Sequence, residues 1–224
     1  MATSQIQSTP AAAVDPIQQQ LVEARRNQIL DAATTVFAAS GFHRATIRAI
    51  AQQAGVADGT IYTYFANKDA LLLGILDRLN ETPARADHFA QGATVDLRAF
   101  VTAYTSRRLA LLFANLPLFQ ALLPELITNT ELRRRYYDET IAATMPVAER
   151  YFADCIAAGE MRPLDVKATV RMLAAMTFGL MMLRLLGDDT IDVSGGDDHR
   201  LADVMTTLIL EGIEAEEAGN DRGA

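Results

Sequence analysis

The sequence predicts an all-α protein, with a small N-terminal unit of short helices followed by a larger helical unit. Three observations carry this. Apolar residues recur at i, i+3, i+4 and i+7 along most of the chain, glycine and proline fall between those stretches, and no segment alternates apolar and polar residues as a half-buried strand would. With 224 residues, half of them apolar, the chain is long enough to bury a sizeable core.

Residues 1–17 are mostly Ala, Ser, Thr, Gln and Pro without periodicity and read as a disordered tail. Helical spacing starts near Ile17. Ile29, Ala33, Val36 and Phe37 share one face, and Gly41 ends that helix. Thr46 is a good cap for a second helix, whose apolar positions are Ile47, Ile50, Ala51 and Ala54 and whose stop is Gly55. After the turn 55–59 a third short helix spans 60–66, with Asp58 as its candidate cap. Asn67 caps a fourth helix that runs to about Asn80, ahead of Pro83. The first unit is thus 18–80. The second, 81–217, holds helices at 95–115, 118–128, 131–158, 165–186 and 199–217, with Pro146 expected to kink or split the long one. Residues 218–224 read as a second tail.

Charge is uneven. The chain carries a net −8. From Arg25 to Lys68 five cations (Arg25, Arg26, Arg44, Arg48, Lys68) oppose Asp31 and Asp58, a local +3, so the remainder carries −11. A mildly basic unit sits on an acidic body.

The stretch 55–72, GVADGTIYTYFANKDALL, combines hydroxyls and aromatics with an anchor. Ile61 and Phe65 are four apart and share the face that can pack on the first two helices. Thr60, Tyr62, Thr63 and Tyr64 then project elsewhere. Two short helices joined by a glycine-containing turn form a helix-turn-helix, whose second helix meets base edges in the DNA major groove. Thr46 adds a hydroxyl and a helix N-terminus suited to a phosphate. Arg48 can reach a guanine or the backbone, Lys68 the far strand, and His43 a phosphate.

Residues 29–76 resemble the DNA-binding domain of the tetracycline-repressor (TetR) family. The pattern includes Phe37, Gly41, Thr46, Ile50, Ala51, Ala54, Gly55, Val56, Gly59, Ile61, Tyr62, Phe65, Lys68 and Leu71. The resemblance covers about a fifth of the chain. It implies a dimeric, all-helical, ligand-responsive transcriptional regulator, usually a repressor, with no enzymatic activity. It also implies that Thr46, Arg48, Thr60, Tyr62, Thr63, Tyr64 and Lys68 face DNA. The expected fold is therefore an N-terminal three-helix helix-turn-helix DNA-binding domain joined to a C-terminal helical ligand-binding and dimerisation domain. One position departs: Asp58 sits where the family often has a polar or basic residue near bases, and a carboxylate there repels phosphate.

In the second unit, helix 165–186 is apolar on two sides, one through Val170, Leu173 and Leu180, the other through Met172, Met176, Gly179 and Leu183. Such a helix is buried on two sides. One side fits its own domain and the other a partner subunit, with Ala175 and Gly179 permitting close approach. The last helix has a matching stripe of Leu201, Met205, Leu208, Ile209 and Gly212. Two such helices from each chain make a four-helix homodimer interface, which is also where TetR-like proteins dimerise. Two DNA-reading units then call for a pseudo-palindromic operator in double-stranded DNA. The resemblance implies a cavity for a small, mostly apolar effector, with Tyr104, Arg108, Leu112, Phe119 and Leu123 as candidate lining residues. Met145, Tyr151, Met176 and Phe178 complete that candidate set.

Other chemistries find no support. His43, His88 and His199 lack metal-ligand spacing, and no cofactor motif or catalytic triad order appears. The lone Cys155 reads as a core residue in a reducing cytoplasm, and no uninterrupted apolar run reaches the length of a membrane span. A helical small-molecule sensor or carrier, using the N-terminal unit for protein contacts, remains the alternative.

Overall fold

The computed structural model describes residues 15–191 and 196–213. Among them are eleven α-helices and no β-strand. The tail expected at 218–224 lies outside the described residues, as do residues 1–14. The tail expected to end at 17 ends sooner, because the Asp15 side chain accepts from the Ile17 amide at 3.0 Å and a helix begins at Pro16.

Three helices build the N-terminal head: α1 (Pro16–Ser40), α2 (Ile47–Ala54) and α3 (Asp58–Tyr64). Thr46 caps α2 by accepting from the Ala49 amide at 3.1 Å, and Gly55 ends it with φ 65°, a left-handed turn that favours glycine. The Gln28 amide, reaching from α1, donates to the orphan carbonyl of Ala54 at 2.7 Å. Helix α3 starts two residues earlier than its spacing suggested. Ala57 is its extended N-cap, without a side-chain bond, so Asp58 is not a cap. Asp58 lies in the first turn instead, where a carboxylate complements the helix dipole. At the other end Phe65 turns extended (φ −138°, ψ 119°) and drives its ring into the core.

Helix α4 (Lys68–Leu79), capped by Asn67, leaves the head and crosses into the larger body. Gly74 lets it lie close to α1: a Cβ there would come within 3.1 Å of Leu30 and 3.2 Å of Phe65. Arg78 ties the same pair of helices through Asp31 at 2.7 Å.

The body holds α5 (Thr82–Gly92), α6 (Leu97–Ala114), α7 (Leu116–Thr128), α8 (Thr130–Tyr136), α9 (Ala142–Ala157), α10 (Val166–Leu185) and α11 (Asp197–Ile213). Spacing alone did not reveal α5, since Pro83 looked like a stop; it is instead a first-turn proline, which starts helices as readily as it ends them. The helix expected over 131–158 is broken by a π-helical turn, Tyr137–Ile141. Pro146 lies inside α9 rather than at the break. It leaves the Ala142 carbonyl without its i+4 donor and crowds it, and the widened turn just upstream absorbs that misfit. Helix α11 packs along α6, α9 packs on α5 and α10, and α7 lies across α1.

Candidate functional site

The head's core is closed. Ile29, Ala33, Phe37, Ile50, Ala51 and Ile61 have no solvent exposure. With the apolar groups of α2 and α3 turned inward, their remaining faces carry the expected side chains outward. Thr46, Arg48 and Thr63 are exposed, and Tyr62 is 57% exposed. Thr60 and Tyr64 are half-buried, and Tyr64 rests its ring against the core cluster. Hydroxyls, one guanidinium and the α2 N-terminus therefore lie on the outward side of α2 and α3.

Two expected DNA contacts are placed otherwise. The Lys68 ammonium donates to the carbonyls of Phe42 (2.7 Å), His43 (3.2 Å) and Ala45 (3.1 Å) and lies 4.5 Å above the Phe42 ring. Its three protons are used in holding the α1–α2 loop. His43 is exposed, but its Nε2 lies 2.5 Å from the buried carboxylate of Glu125 on α7, so it joins head to body.

The body encloses a cavity of about 380 Å³. Of the candidate lining residues, Tyr104, Arg108, Leu112, Phe119, Met145 and Phe178 are in its wall. Leu123, Tyr151 and Met176 are not: Leu123 packs on the core shared with the head, Tyr151 on Phe89, Phe100 and Phe152, and Met176 beside the α6–α11 core. The wall is mostly apolar, with a polar end where Asn80, Arg85, Arg108 and Tyr136 gather. Arg108 donates to the Leu79 carbonyl at 2.9 Å and lies 3.6 Å from Glu81. Arg85 is buried and donates to the Asn80 carbonyl and side chain at 2.8 and 3.0 Å. Burial pushes the Tyr136 hydroxyl above the usual phenol range, keeping it a neutral donor. Spacing did not single out Asn80, Arg85 or Tyr136. A start signal at Thr82-Pro83 was the available clue, since it places Arg85 in the first turn of a helix.

Residues 29–75 match the sequence profile of the bacterial regulatory proteins, tetR family. Over 197 residues the chain is 27% identical to the fatty acid metabolism regulator protein of Bacillus subtilis (strain 168), covering 83% of this chain and 94% of that one. About a fifth of the chain, near its N-terminus, thus matches the TetR family of transcriptional regulators.

Solved structures share its architecture along most of the chain. The B. subtilis transcriptional regulator FadR, in complex with stearoyl-CoA, matches with a TM-score of 0.68 at 26% identity, over 84% of this chain and 99% of that one. GusR of Salmonella enterica shares the fold with a TM-score of 0.68 at 23% identity, over 84% of this chain and 94% of that one.

The candidate dimer residues divide into two groups. Met172, Ala175, Leu183 and Leu208 are exposed, and Met176, Gly179 and Leu201 are half-buried. Met205 and Ile209 are instead buried in the chain's own core, against α6. They serve that core because α11 turns one side to α6, leaving Val204 and Leu208 outward. The packing of Gly212 lies outside the described residues. By length and composition α10 is apolar enough to cross a membrane, yet little of its apolar stretch is buried within one chain.

Proposed function

We propose that this protein is a homodimeric cytoplasmic repressor that leaves a pseudo-palindromic operator when a small effector with a long apolar body enters the cavity. It acts by binding alone, without catalysis. The head, 18–80, reads DNA through Thr46, Arg48, Thr60, Tyr62, Thr63 and Tyr64, while Lys68 and His43 hold the reading surface in place. The body, 81–217, dimerises through the outward faces of α10 and α11. Exposed Met172 and Leu183 on α10, with Val204 and Leu208 on α11, form an apolar surface that a second copy would cover.

The observation that carries the reading is the path of α4. Its first residue, Lys68, holds the head's loop, and its last turn puts Leu76 and Leu79 in the cavity wall. An occupant that displaces the end of α4 moves a rigid rod whose other end is in the head. Such an effector shifts the equilibrium only by its differential affinity for the two arrangements. Helix α7 gives a second link, with Phe119 in the wall and Glu125 on His43. The stearoyl-CoA in the B. subtilis relative supports an effector with a long acyl chain.

Fluorescence anisotropy on the duplex upstream of the gene, against a scrambled duplex, tests the reading at about 50 and 200 mM salt. Sequence-selective binding that weakens steeply with salt is expected. Equal affinity for both duplexes would leave the carrier alternative in its place.

A further inference from the structure

The cavity wall holds a cation that has no ion-pair partner among the described residues. Arg85 is 8% exposed, its Nε is buried without a hydrogen-bond partner, and the residue is part of the cavity wall. The groups it does bond, the carbonyl and side chain of Asn80, are neutral. Glu81 is the carboxylate that acts on it from nearby, but Glu81 is ion-paired with Arg107 and Arg108 instead. Burial and the like charge of Arg108 both disfavour the Arg85 cation. Tyr104 and Tyr136 are close enough to act on it electrostatically, and both are in the wall. A buried charge without a partner is costly, and it is tolerated where a ligand completes it.

We propose that Arg85 is the effector's anion receptor, and that the effector is an amphipathic carboxylic acid whose free carboxylate seats against Arg85 while its apolar body fills the rest of the cavity. This rests on the reading of the cavity as an effector site and narrows it. A carboxylate presents two oxygens to the planar guanidinium, whose unused Nε–H is a donor of the matching geometry. A neutral thioester or alcohol at the same place leaves Arg85 unpaired. The phosphates of a carrier such as coenzyme A are the other source of anionic oxygen. They are bulky and strongly hydrated, whereas Arg108 beside it already faces Glu81 and leaves Arg85 as the one guanidinium of that polar end without a described carboxylate partner, so the carboxylate is favoured.

The test is calorimetric titration of the full chain with dodecanoate, dodecanol and dodecanoyl-CoA, in the wild type and in Arg85→Met. Methionine removes the charge while keeping an apolar stem, a change that buried sites often accept without loss of stability. The wild type should bind dodecanoate at least about tenfold more tightly than dodecanol, and Arg85→Met should erase that preference while still binding dodecanol. Equal wild-type affinity for acid and alcohol, or a preference that survives in Arg85→Met, overturns the assignment and leaves the effector cavity standing. Dodecanoyl-CoA binding more tightly than the acid, with the advantage lost in Arg85→Met, overturns the free carboxylate in favour of the carrier's phosphates. Failure of the wild type to bind any of the three removes the effector reading and this inference together. Should Arg85→Met not fold, the wild-type comparison of acid with alcohol decides alone.

Discussion

The head and the body solve opposite problems with the same kind of helix. The head fills its interior: six core side chains from three helices have no exposure at all, and Thr46, Arg48, Tyr62 and Thr63 are on the outside. The body leaves about 380 Å³ empty, and the polar end of that space holds a buried arginine with an unused donor. A filled unit has one arrangement and can present a fixed surface to a rigid partner such as a duplex. A hollow unit gains stability from whatever completes it, and its shape depends on occupancy. The helix shared by the two, α4, is where the proposed mechanism lets the second property act on the first.

The largest effects separate the closed core from the cavity wall. Ile61→Ala should destabilise the chain by about 2–5 kcal/mol, as deletions in a packed core do, and abolish operator binding by loosening α3. Met145→Ala, at a half-buried position facing the cavity, should cost roughly 1 kcal/mol or less, because less packing is lost. Urea denaturation of both variants measures the gap, and equal losses would break the contrast. Next comes overfilling. A Cβ at Gly92 would lie 2.4–2.7 Å from the Phe100 ring, which belongs to the cavity's aromatic wall. Gly92→Ala should therefore cost about 1–3 kcal/mol and weaken effector binding while leaving the head's DNA affinity intact.

Smaller effects test the head's surface. Tyr62→Ala should leave the denaturation midpoint nearly unchanged, since the ring is exposed, and reduce operator affinity by about tenfold, the loss of one good contact. The smallest effect concerns the junction. Burial alone would raise the Glu81 carboxyl, but the Arg107 hydrogen bond and the charges of Arg107 and Arg108 outweigh it and hold it below the usual range. A carboxylate depressed on folding contributes stability above its ordinary value and loses it as pH falls through the folded one. The thermal midpoint should therefore drop as pH is lowered from about 4.5, and Glu81→Gln should flatten that drop.

The same contrast explains what could be read from residues alone. The head was legible because its information is local: a cap at Thr46, a stop at Gly55 and the Ile61–Phe65 pair each act within a few residues. The placement of Lys68 was not, since its ammonium is claimed by carbonyls more than twenty positions earlier. In the body, helix spacing showed which residues are apolar but not which of them face empty space. Leu123 and Met176 are as apolar as Met145 and Phe178, yet only the latter two reach the cavity. Arg85 was hidden because a proline such as Pro83 ends helices as readily as it begins them. Glu81, between α4 and α5, adopts a left-handed φ of 53° that no residue type announces.

The central claim is that the state of the hollow body decides whether the filled head can bind. It is tested most directly by operator anisotropy with increasing dodecanoate, run beside a thermal-shift titration that reports when the cavity is occupied. Operator affinity should fall by about 5–150-fold, the usual range of coupling between two sites, over the concentrations that raise the melting temperature. Unchanged affinity at concentrations where the melting temperature has already risen would contradict the account.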